Sequence, residues 1–86
     1  MDKNAQVREF VMEITNNQIK DNNPPVTRET YDRLIAEGFS DNEAKELISH
    51  VIWAEVYIIM KNQKPFNLER FTTALEYLPK TPWDKD

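Results

Sequence analysis

Glu46 and His50 stand one helical turn apart, and five residues later a second carboxylate, Glu55, sits inside the apolar run HVIWAEVYIIM, residues 50 to 60. A Glu/His pair at i,i+4 can supply two metal ligands, but a closed site needs about four. The chain has one histidine and no cysteine, and no second Glu/His pair completes the set. A partly exposed His50 bonded to Glu46 is the simpler reading, so these two are weak candidates for a metal. No nucleophile–His–acid arrangement, phosphate-cradling glycine loop or zinc spacing occurs in the sequence, so no catalytic residue, cofactor or enzyme class is implied.

Glu55 raises a different question. On a helical wheel at about 100° per residue with Leu47 at zero, Ile58, Val51, Ala44, Glu55, Ile48, Ile59 and Ile52 follow in order across a stripe about 140° wide. The acid lies in its middle. A carboxylate there must be neutral, paired or at a crevice, because burying it charged and alone costs too much. The first apolar stretch repeats the pattern: with Val7 at zero, Phe10, Ile14, Gln18 and Val11 line one stripe, and Gln18 falls inside it at about 20°. A protonated Glu55 bonded to Gln18, or an ionised Glu55 held by Arg28 or Arg33, would satisfy both faces. This reading makes Gln18, Glu55, Arg28 and Arg33 a buried polar tie that fixes helix register. The alternative is a small-ligand or metal site around Glu55 and His50.

The elements that position these residues are helices. With one glycine and almost no alternating pattern, a sheet is excluded, while helical spacing recurs between the prolines. The periodicity predicts helices over about 4–20, 25–37, 41–63 and 68–78. The turn DNNPP stops the first and opens the second, since proline suits a first helical turn. Gly38 supplies the left-handed residue that ends the second helix, and Phe39 folds back onto Leu34. Ser40-Asp41-Asn42-Glu43 reads as a capping box for the third helix, which Lys64-Pro65 closes. Phe66 and Phe71 form a hydrophobic staple around Asn67, and the fourth helix carries Leu68, Phe71, Leu75 and Leu78 at helical spacing. Residues 79–86 read as an extended tail, with Trp83 available to dock on the bundle.

The rest of the third helix is apolar nearly all round, since Val56, Met60, Trp53 and Tyr57 cover about 180° to 280° of the same wheel. Either the other helices surround it, or the flank bearing Trp53, Tyr57 and Met60 packs against another copy. Aromatic residues and methionine are enriched at interface cores, which keeps a homodimer open.

An 86-residue chain makes one domain, whose folding buries roughly 60% of the unfolded surface. Without cysteine it depends on packing alone, and it suits a reducing compartment. No stretch reaches the ~18 apolar residues of a membrane span, and the first residues lack a basic-then-apolar leader pattern, so the expected location is the cytoplasm. The net charge of −4 opposes attraction to nucleic acid or anionic lipid.

The segment from Asn22 to Pro79 resembles a family of small, uncharacterised bacterial all-helical proteins. The resemblance rests on Pro24, Pro25, Arg28, Tyr31, Arg33, Leu34, Gly38, Phe39, Glu43, Ala44, Glu55 and Pro79; it implies an all-helical domain and brings no activity. Some relatives carry extra histidines on the first and third helices, where this chain has Met12, Asn16 and Glu46. LIAEGFSDNEAKELI, residues 34 to 48, looks like the first helix, loop and second helix of a ubiquitin-associated domain, but the third helix here runs on where that fold stops. The same turn resembles a helix-turn-helix reader of DNA, with Asp41, Glu43 and Glu46 leading toward phosphate that would repel them. The sequence therefore predicts a compact all-α four-helix bundle with a long central third helix. Its expected role is a protein-interaction or structural module.

Overall fold

The structure is a computed structural model and describes residues 3–80. Four helices follow in order: α1 (Lys3–Asp21), α2 (Pro25–Ala36), α3 (Asp41–Asn62) and α4 (Leu68–Tyr77). The described residues contain no strand. The protein is an all-α four-helix bundle.

Each boundary has a local chemical cause. Asn22 ends α1 in the left-handed conformation (φ 54°), and the Asn23 N–H donates to the Gln18 carbonyl across the turn. Asparagine tolerates that conformation better than most residues. Pro25 fills the first position of α2, where its missing N–H leaves nothing unpaired. Gly38 (φ 104°) ends α2, with its N–H on the Ile35 carbonyl and the Phe39 N–H on the Leu34 carbonyl. These two bonds are the Schellman pattern, and they satisfy carbonyls that the helix leaves open. At Ser40 both halves of the capping box form: the Glu43 N–H donates to the Ser40 hydroxyl at 3.1 Å, and the Ser40 N–H to the Glu43 carboxylate at 2.9 Å. Asn67 caps α4 by accepting the Arg70 N–H, and the Phe66 and Phe71 rings meet edge-on at 5.4 Å.

Helices α2 and α3 each pack on all the others, while α1 and α4 flank this pair and do not touch each other among the described residues. The centre is thus shared by α2 and α3. Leu34, Ala44, Ile48 and Leu75 are wholly buried where the helices meet, joined by Phe71, Leu78 and, from α1, Val11 and Ile19. Each large side chain buried this way contributes roughly 1.5–3 kcal/mol.

Two expectations are corrected. Phe10 does not face inward: it is 56% exposed, and the inner line of α1 runs through Val11, Thr15 and Ile19. The Thr15 hydroxyl donates to the Val11 carbonyl at 2.8 Å, which lets a polar residue occupy the core. Pro79 and Lys80 are not extended; they turn back, the Lys80 N–H donating to the Tyr77 carbonyl. The remaining tail, with the docking expected of Trp83, lies outside the described residues.

Candidate functional site

Glu55 is buried, with 6% of its surface exposed, on the side of α3 that meets α4. Its partner is Arg70. The guanidinium grips the carboxylate with two nitrogens, Nε donating to Oε1 at 3.1 Å and Nη2 to Oε2, and the Asn67 N–H approaches Oε2 at 3.4 Å. A planar fork on two oxygens is the strongest geometry available to such a pair. The carboxylate also sits at the start of α4, where the positive end of the helix dipole favours an anion. The bond to Glu55 raises the Arg70 pKa above its ordinary value. Glu55 therefore clamps the first turn of α4 onto the middle of α3.

The partners expected of Glu55 are engaged elsewhere. The Gln18 side-chain oxygen accepts the Thr27 hydroxyl at 2.8 Å, tying the end of α1 to the start of α2. Arg28 pairs with Asp32 and reaches the Ile19 carbonyl in the last turn of α1. Arg33 pairs with Glu37 and donates to the Leu75 carbonyl at 3.1 Å, in the last turn of α4. Both arginines thus place positive charge on a carbonyl in the last turn of a helix, at the negative end of its dipole. The four residues do not form one tie. They make fastenings between three separate helix pairs, Gln18 and Arg28 joining α1 to α2, Arg33 joining α2 to α4 and Glu55 joining α3 to α4, where Arg70 and Asn67 complete the contact.

Tyr31 makes a fourth. Its hydroxyl donates to the Asp41 carboxylate at 2.6 Å, and Lys45 pairs with the same carboxylate at 3.2 Å. The bond from Tyr31, then the one from Lys45, holds the Asp41 pKa below the usual aspartate value, while the bond to Asp41 raises that of Tyr31.

The other flank of α3 is open. Trp53 is 43% exposed, Tyr57 49% and Met60 72%. The Trp53 and Tyr57 rings lie 6.2 Å apart, and the Lys61 ammonium stands over Tyr57 at 5.5 Å. Between α1 and the first half of α3 runs an open groove of about 860 Å³, whose lining includes Val7, Arg8, Glu46, His50 and Trp53. A shallower depression lined by His50, Trp53, Ala54, Tyr57 and Ile58 continues it along α3. Glu46 accepts a hydrogen bond from Arg8 of α1 at 3.3 Å. Glu46 and His50 thus line the groove, and Glu55 faces α4 across the helix. Among the described residues no three His, Asp or Glu side chains gather as a metal would require, and no helix is long and apolar enough to cross a membrane.

No family model matches the chain, and no curated protein or solved structure matches it either.

Arg70 is the residue that sequence reading missed. Its signal was indirect: an arginine in the first turn of the one helix downstream of Glu55, three residues after a capping asparagine.

Proposed function

We propose that this protein is a small protein-interaction module that works through the outer flank of α3, with self-association into a homodimer as its basic use. The observation that carries the reading is the exposure of Trp53, Tyr57 and Met60 on a helix whose carboxylate Glu55 is buried. Exposed contiguous aromatic surface is what interface cores are made of, and large aromatic anchors dominate their energetics. The acidic leading edge of α3, Asp41 and Glu43, supports a protein partner over nucleic acid. A cysteine-free chain suits a cytoplasmic setting.

The ligand-site alternative has less support, because both oxygens of Glu55 are taken by Arg70 and Asn67 and neither His50 nor Glu46 lines the same side. Sedimentation velocity of the wild type and Trp53→Glu tests the reading. A dimer that the substitution converts to monomer is expected; monomers in both samples would remove it.

A further inference from the structure

The flank of α3 has a direction. Viewed down the helix, Met60, Trp53, Glu46, Tyr57, His50, Lys61 and Ala54 follow one another within an arc of about 120° at about 100° per residue. Along its length the arc carries its acids first, Glu43 of the capping box and then Glu46, passes the aromatic centre Trp53 and Tyr57, and ends with a base, Lys61. Exposure follows the same order. The first half of the arc forms one wall of the groove against α1, while beyond Trp53 lies an exposed edge made by Tyr57, which also walls the shallow depression, and Met60. Two carboxylates, Glu9 and Glu46, line the groove against one guanidinium, Arg8, which pairs with Glu46 at 3.3 Å.

A surface with an acidic groove at one end and an exposed apolar edge beside a base at the other is complementary to itself when turned end for end. We propose that a second copy of this chain docks on the flank antiparallel, with the two-fold axis between Trp53 and Ala54. Each copy then seats its Tyr57 and Met60 side chains in the other's α1/α3 groove, and Glu46 faces the partner's Lys61. Isologous contacts use the same patch twice, so each pairing occurs twice. A parallel arrangement would set Glu46 against the partner's Glu46 and Lys61 against the partner's Lys61, and like charges in register are disfavoured. Antiparallel docking also opposes the dipoles of the two α3 helices.

This inference rests on the self-association proposed above, and its test separates the two. Association is measured by sedimentation at low salt for the wild type, Glu46→Lys, Lys61→Glu and the double reversal. Each single reversal is expected to weaken association roughly fivefold or more, because both symmetric pairs change sign, and the double reversal should recover it. The absence of cysteine allows a second readout. Ala54→Cys should give a disulfide-linked dimer; Glu46→Cys should not link to itself but should link to Lys61→Cys when the two are mixed. A dimer whose double reversal is no tighter than the singles, or a Glu46→Cys chain that links to its own copy, would overturn the antiparallel arrangement and leave self-association standing. A wild type that stays monomeric would overturn both.

Discussion

The two faces of α3 invert what hydrophobicity alone would assign them. Toward the bundle the helix buries Ile48, Val51, Ile52 and the carboxylate Glu55, whereas a tryptophan, a tyrosine and a methionine face outward on the other flank. A charged group is acceptable inside because Arg70 and the Asn67 N–H meet it with good geometry. Aromatic groups lie outside because α1, α2 and α4 pack along the other sides of the 22-residue helix, and among the described residues no element covers this flank. Burial is decided by which neighbours are present, and residue type sets only what each arrangement costs.

The largest effects should separate these faces. Ile48→Ala removes wholly buried atoms and is expected to lower unfolding free energy by about 2–5 kcal/mol. Met60→Ala on the open flank should stay within about 0.5 kcal/mol at concentrations where the chain is monomeric. Urea denaturation of the two variants checks the contrast, and equal losses would break it.

Next in size is an asymmetry within the clamp. Glu55→Gln leaves Arg70 free to reach water, its side chain being 38% exposed, and should cost about 1–2 kcal/mol. Arg70→Met leaves a buried carboxylate without its ion partner, so it should lower the melting temperature further than Glu55→Gln. The reverse order would mean that the arginine, and not the acid, is the group that burial constrains.

A smaller effect distinguishes the exposed tie at Asp41. Its folded pKa is lowered, chiefly by the Tyr31 hydroxyl. Its stabilisation is therefore present above the unfolded value of 3.8 and is lost as pH falls through the lower folded value. The raised Tyr31 works in the opposite sense: its contribution is present below 10.0 and lost as pH rises through the folded value. Tyr31→Phe should be slightly less stable than the wild type between those limits, with the difference shrinking beyond both ends. Melting curves across pH show it.

Much of the fold could be read from the sequence because its punctuation is local. Ser40 with Glu43, Gly38 with Phe39, and Phe66 with Phe71 act over a few residues, and the structure has all three. The partner of Glu55 could not be read, since it depends on how residues 63–67 fold α4 back onto α3. Phe10 failed for a related reason: the wheel ranks an aromatic residue as inward, but a threonine that bonds its own helix can take the buried position instead. Glu55 itself was legible as an anomaly, and only the geometry of α4 shows how the anomaly is resolved.

The most direct test of opposite roles for the two faces is the melting temperature as a function of protein concentration, for the wild type and Trp53→Glu. Folding linked to association makes the melting temperature rise with concentration. The account predicts that rise for the wild type and a flat line for Trp53→Glu, with the two coinciding at high dilution. A wild-type melting temperature independent of concentration would contradict it.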